Sequence, residues 1–174
     1  MNKLTAIQEK FILHWGEMGI RWGINRTVAQ VHALLYLSPK PLNAEQICDL
    51  LGVARSNVST SLKDLQNWGI VKVAHVMGDR RDHFESMKDV WAMFRVVLDE
   101  RKKREIDPTV ELLEACVQES GKPGGKDAYT HERLVAMRDF FTTMSAWYDH
   151  VDALPTPAVI KFIKLGEKIG KLLG

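Results

Sequence analysis

A chain of 174 residues, 45% apolar and 26% charged, is long enough for one or two small domains with a core of their own and too apolar for a disordered segment. Its net charge of +2 does not advertise a polyanionic partner, so affinity for nucleic acid must come from where charges sit rather than from their sum. No run approaches the roughly 18 apolar residues of a membrane span, MNKLTAIQEKFILHW lacks the apolar core and cleavage site of a leader, and two cysteines are too few for a disulfide framework or a zinc site, so a cytoplasmic protein with no membrane contact is expected.

Residues 3–17 place Leu4, Ile7, Phe11, Ile12 and Trp15 at helical spacing with Gln8, Glu9 and Lys10 outside, which predicts an amphipathic helix whose stripe needs either the domain core or a second subunit. Gly16, Gly19 and Gly23 are expected to break it. Asn25 then caps a helix over 26–37 that buries Val28, Val31, Leu34 and Leu35 and stops at Ser38, Pro39, Lys40 and Pro41. Arg21 and Arg26 are read as solvated surface, with reach to a phosphate as the alternative.

Residues 42–86 read LNAEQICDLLGVARSNVSTSLKDLQNWGIVKVAHVMGDRRDHFES. Asn43 caps a short helix with Ile47, Leu50 and Leu51 on one face, and Cys48 beside that face is expected to be a small buried hydrophobe rather than a redox sensor. Gly52 ends it, and only Val53 and Ala54 separate it from a second helix over 55–68, a helix-turn-helix spacing. At about 100° per residue Val58, Leu62 and Leu65 form one stripe, while Ser56, Thr60, Lys63 and Asn67 lie opposite with Arg55, Asn57 and Ser59 at their margins. Gly69 closes this helix, and residues 70–76 are expected to form a strand. A turn over 77–82 and a return strand over 83–86 complete a small β-hairpin with Arg80 and Arg81 at its tip. Helix pairs with glycine turns are common in all-helical proteins; the polar outer face followed at once by a hairpin tipped with two arginines narrows the reading to a winged helix that binds double-stranded DNA. Residues 43–85 hold 5 Lys and Arg against 6 Asp and Glu, a local charge of −1, so pattern and not bulk charge carries that expectation.

Residues 89–104 should form a helix whose charged end, ERKKRE, pairs Glu100 with Arg104 and Arg101 with Glu105. Lys102, Lys103 and Arg104 are expected to face water, or alternatively to graze a DNA backbone. Pro108 opens a helix running to about 120 through Leu112, Leu113 and Cys116, and GKPGGK at 121–126 should be a mobile loop. Residues 127–151 carry Leu134, Met137, Phe140, Phe141, Met144 and Trp147 at helical period over a length typical of an oligomerisation element. After Pro155 and Pro157 comes a helix over 158–173 with Lys161, Lys164, Lys168 and Lys171 on one face; packing on a partner subunit is preferred over a membrane surface.

Enzyme chemistry is not expected. There is no Gly-rich phosphate loop, G-x-S-x-G elbow or H-E-x-x-H helix, hence no catalytic residues and no cofactor. Six histidines lack ligand spacing, and Asp149, His150 and Asp152 in YDHVD are explained as well by a charged helix terminus as by a metal, so no metal is assigned. Trp15, Trp22 and Trp91 flank the DNA-binding unit. They serve as core or interface anchors, or else as an aromatic cage for a quaternary ammonium effector.

The run GVARSNVSTSLKDLQNWGIVKV followed by GDRRDHFES resembles the GbsR group of MarR-type winged-helix transcriptional regulators. The likeness continues upstream in MGIRWGINRTVAQVHALLYLS and downstream in DVWAMF and ERKKREIDPTV, covering residues 16–110. It implies a DNA-binding homodimer that represses or otherwise controls transcription, and it makes choline or a related osmolyte precursor a conceivable effector. One departure is Ala54, where many winged helices place Ser or Thr ahead of the recognition helix.

The expected fold is mainly α with a small β-hairpin: a winged helix-turn-helix DNA-binding domain over 1–105 and a helical dimerisation region over 106–174. Arg55, Ser56, Asn57, Ser59, Thr60 and Lys63 would enter a major groove of a roughly palindromic operator, and Arg80 and Arg81 would reach the adjoining minor groove. The alternative is a winged-helix protein-interaction module without sequence-specific DNA binding.

Overall fold

Seven residues of α2 (Arg26–Leu37) are buried, among them Val28, Val31, Leu34 and Leu35, and this helix forms the centre of the first of two compact units, Met1–Val96 and Val97–Gly174. The structure is a computed structural model that describes residues 3–121 and 127–173, with the side chains of 162 and 166–173 left out. Residues 122–126 of the expected GKPGGK loop lie outside the described residues, as do the side chains of Lys168 and Lys171.

In the first unit α1 (Ala6–Arg21) begins at a capping box in which the Thr5 hydroxyl accepts from the Gln8 N–H and the Gln8 side chain accepts from the Thr5 N–H. It runs on through Gly16 and Gly19, where a break was expected. Both glycines face α2: a Cβ on Gly19 would lie 2.6 Å from the Ala29 Cβ, and one on Gly16 would lie 2.9 Å from the Gln30 Cγ. The glycines are there for close approach of two helices, and the chain leaves α1 only at Gly23, with φ 73°. Of the expected apolar stripe Ile12 is buried, Phe11 and Trp15 are half-buried, and Ile7 is exposed. Asn25 caps α2 by accepting from the Thr27 N–H at 2.8 Å. At the other end the Lys88 ammonium donates to the carbonyls of Leu35, Tyr36 and Ser38 at 2.8 to 2.9 Å, tying the chain after the sheet to the last turn of α2.

The helix-turn-helix follows as α3 (Ala44–Leu51) and α4 (Arg55–Asn67), then β2 (Val71–Val76) and β3 (Asp79–Ser86). A two-residue strand, β1 (Leu42–Asn43), pairs Leu42 with Phe84 and Asn43 with His83, so the expected hairpin is a three-stranded antiparallel sheet of order β1-β3-β2. Ile47, Val58, Leu62, Leu65, Ile70, Val71 and Phe84 close the core against α2. Cys48 is half-buried rather than buried. Asp89 caps α5 (Val90–Arg101), accepting from the N–H groups of Trp91 and Ala92.

In the second unit a π-helical turn (Lys102–Ile106) leads into α6 (Asp107–Glu119), followed by α7 (Ala128–Asp152) and α8 (Thr156–Leu173). Arg101, Ile106 and Asp107 all keep right-handed helical backbone, so α6 continues from the π turn without a break, with Pro108 in its first turn as expected. Its ring would meet the carbonyl of the residue four positions back, and the wider π turn at that place relieves the conflict. Arg101 pairs with Glu105 at 3.9 Å as expected, but the Arg104 Nε donates to the Glu100 carbonyl oxygen while the Glu100 carboxylate meets Lys103. Lys102 is largely enclosed between Asp107 at 2.9 Å and Asp149 at 3.5 Å, and Lys103 lies 2.6 Å from Asp99. Asp149 is therefore a salt-bridge partner, and among the described residues no group of three His, Cys, Asp or Glu is placed to hold a metal. No helix among them is long and apolar enough to cross a membrane.

Candidate nucleic-acid interface

A capping box fixes the entry to the motif: the Asn43 side chain accepts from the Gln46 N–H at 3.0 Å, and Gln46 returns the bond at 2.9 Å. Gly52 ends α3 in the left-handed region at φ 64°, and the Cys48 carbonyl accepts from the N–H groups of both Gly52 and Val53. That compact stop leaves two residues before α4. Ala54 has the extended backbone of an N-cap but no side-chain bond, so the first N–H groups of α4 have no side-chain acceptor.

Val58, Ser61, Leu62 and Leu65 of α4 are buried, and Arg55, Ser56, Asn57, Ser59, Thr60 and Lys63 are all exposed. The helix thus presents a continuous hydroxyl, amide and cationic face, the chemistry that pairs with base edges and phosphate oxygens. Gly69, with φ 71°, turns the chain into β2.

The hairpin is tighter than the sequence suggested. Val76 pairs with Asp79, so Met77 and Gly78 alone form the turn, with Gly78 at φ 83° and Met77 fully exposed at the tip. Arg80 and Arg81 therefore lie in the first residues of β3 and not at the tip. A register shift between Ala74 and Val76 interrupts the ladder on the opposite strand.

The two arginines differ. Arg80 is exposed and makes no ion pair among the described residues. Arg81 donates from Nε and Nη2 to the Asp79 carboxylate at 2.6 to 3.2 Å and from Nη1 to Glu45 Oε2 at 2.8 Å. Its hydrogen bonds hold the Asp79 carboxyl far below the usual carboxylate range, and the two carboxylates push the guanidinium up. The other Glu45 oxygen lies 3.4 Å from Arg55 Nη1, so one carboxylate joins the start of α4 to the wing. Sequence reasoning missed Glu45, since 36 positions separate it from Arg81 and no local period links them.

Among the tryptophans, Trp15 and Trp22 meet edge to face with centroids 5.9 Å apart, whereas Trp91 packs on Phe94 at 6.4 Å. Trp15 lines a cavity of about 140 Å³ with Phe11, His32, Ala33, Tyr36, Val90 and Met93. Of the three expected cage residues it is the one on that wall.

The MarR family model matches residues 22–82, from the turn after α1 into β3. Over 154 residues the chain is 22% identical to the HTH-type transcriptional repressor GbsR of Bacillus subtilis (strain 168), covering 84% of this chain and 85% of that protein. A crystal structure described as that of a transcriptional regulator shares the fold with a TM-score of 0.63, at 19% identity over 84% of this chain and 95% of the other. The winged helix thus carries the match to the MarR family, and over most of its length the chain is similar to a GbsR-type transcriptional regulator.

Proposed function

We propose that the protein is a homodimeric repressor that grips a roughly palindromic operator in double-stranded DNA, with residues 1–105 as the DNA-binding part and 106–174 as the dimerisation region. The observation that carries this reading is the exposed polar face of α4 beside the cationic first residues of β3. In each subunit α4 enters a major groove, with Ser56, Asn57, Ser59, Thr60 and Lys63 towards bases and phosphates, Arg55 at the groove edge, and Arg80 and Arg81 on the adjoining minor groove or its backbone. Two-fold symmetry places the half-sites about one helical turn, or a multiple of it, apart. Repression is the output that the name of the relative suggests.

A gel-shift titration against the protein's own upstream region at two salt concentrations tests the reading. Affinity should fall steeply as salt rises. Binding that is indifferent to salt, or no binding, would instead favour a winged helix that docks on another protein.

Control by a small effector belongs to the same proposal. Aromatic faces hold a quaternary ammonium by cation–π attraction of about 0.5 to 2 kcal/mol each, which suits choline at the tryptophan-bearing faces of Trp15, Trp22 and Trp91. An effector that prefers one separation of the two recognition helices shifts the equilibrium towards it. Calorimetry with choline and betaine at millimolar concentration decides this, and the absence of heat from both removes the effector from the proposal.

A further inference from the structure

We propose that Glu45 is an intramolecular competitor for DNA phosphate: its carboxylate holds Arg55 of the recognition helix and Arg81 of the wing together, so a duplex takes the Nη1 donors of these two arginines only by displacing it. This rests on the reading of the α4 and wing surface as a DNA interface.

The geometry is that of a bridge. Glu45 stands in the first turn of α3 and points one oxygen at each arginine, Oε1 towards Arg55 Nη1 and Oε2 towards Arg81 Nη1. Glu45, Arg55, Arg80 and Arg81 line one open groove of about 410 Å³ between α3 and the wing. A carboxylate offers a guanidinium the same pair of acceptor oxygens that a phosphate offers, which makes Glu45 a built-in stand-in for the DNA backbone.

The bridge can also be exchanged. The Arg55, Arg81 and Glu45 side chains keep 70%, 55% and 55% of their surface exposed, and ion pairs this open are weak and screened by salt. A phosphate can take an arginine from Glu45 without any element moving apart. Glu45 does not need the arginines for its own place, since an acidic residue in the first turn of a helix is already favoured by the helix dipole. Asp79 keeps its grip on Arg81 Nε and Nη2 throughout, so the transferable contact of that side chain is Nη1.

While the bridge is closed two of the arginines facing DNA release no counterions, and sequence-independent binding is weak. Glu45→Gln frees both. Each phosphate contact adds about 0.9 to the slope of log affinity against log salt and about ten-fold in affinity at 50 mM. Anisotropy titrations of a random-sequence duplex between about 50 and about 200 mM salt should show Glu45→Gln binding about ten- to hundred-fold tighter at the low end with a slope steeper by about 1 to 2. Asp49→Asn removes the same charge from the exposed side of α3 without touching an arginine, and should leave the slope unchanged. Glu45→Asp keeps the charge but is one methylene too short to reach both arginines, and should steepen the slope by about 1. It carries the test if Glu45→Gln fails to fold. Equal slopes for wild type and both Glu45 variants, weaker binding by them, or an equal change in Asp49→Asn would overturn the competitor while leaving the DNA reading in place. Failure of wild type and variants alike to bind any duplex would overturn both.

Discussion

His32 shows how a single side chain sets a pH limit on this fold. The Trp15 Nε1–H donates to His32 Nδ1 at 3.3 Å, which places the neutral ring's proton on Nε2, a buried atom with no partner among the described residues. Burial, with the Lys88 charge second, pushes its pKa down to about 4 from the ordinary imidazole value of 6.5. The native state therefore refuses a proton that the unfolded chain accepts. Stability is complete above pH 6.5 and falls as the pH drops towards 4, by up to about 3 kcal/mol. His32→Gln keeps an acceptor for Trp15 and should flatten that part of the stability profile in denaturant titrations; an unchanged profile would mean that His32 is not held neutral. Gly19 makes a second point at this scale. Alanine gains about 1 kcal/mol of helix propensity, but its Cβ at 2.6 Å from that of Ala29 would force α1 and α2 apart. Gly19→Ala should lower stability by about 1 to 3 kcal/mol, and adding Ala29→Gly should recover part of the loss in a thermal melt.

At the scale of elements the recognition helix is the least locally secured part of the motif, because α3 has a capping box and α4 has none. Ala54 already holds φ −64° and ψ 145°, so Ala54→Ser adds an acceptor without moving the backbone and should stabilise the protein by about 0.5 to 2 kcal/mol. No gain in denaturant midpoint would mean that the first N–H groups of α4 are already satisfied by water. On the DNA-binding reading proposed above, α4 and the wing make two different kinds of contact. Asn57→Ala and Thr60→Ala should change preference among duplex sequences by about 1 to 3 kcal/mol, whereas Arg80→Ala should weaken all duplexes alike and lower the salt slope by about 1. Equal losses on all sequences from the three variants would refute this division.

The bounds of α2, α3 and α4 and the polar face of α4 were legible because caps, glycine stops and a 3.6-residue period act within a few residues of one another. What was not legible depends on contacts distant in sequence. Gly16 and Gly19 read as helix breakers until Ala29 and Gln30 lie against them. The strand Leu42–Asn43 is too short for any period and exists only because β3 accepts it. Asp79 read as part of a turn, yet the positive φ of Gly78 lets the hairpin close in two residues and draws Arg80 and Arg81 into a strand. The sequence places Arg81 with Arg80 at the hairpin tip, and its engagement by Glu45, 36 positions away, follows only from the fold.

At the scale of the molecule the question is what covers α7. Met137, Phe140, Met144 and Trp147 recur at intervals of three and four residues, fall on one side of the helix, and are each about half exposed. A row of large apolar side chains in water favours association, and a two-fold arrangement buries the same row on both subunits at once. Dimerisation through α7 is part of the function proposed above, and it has a consequence for DNA. With two winged helices on one particle the second half-site is bound at a high effective concentration, which raises avidity by about 10² to 10⁴ over a single winged helix. Phe140→Asp with Met144→Lys should therefore do two things together. The mass from sedimentation equilibrium should fall to that of one chain, and affinity for a palindromic fragment should drop to that for a fragment carrying one half-site. Secondary structure by circular dichroism should stay unchanged, since both residues already face solvent in a single chain. A dimer that survives the two charges places the subunit contact elsewhere, and exposed Ile7, Leu13 and Ile20 of α1 are then the next row to alter.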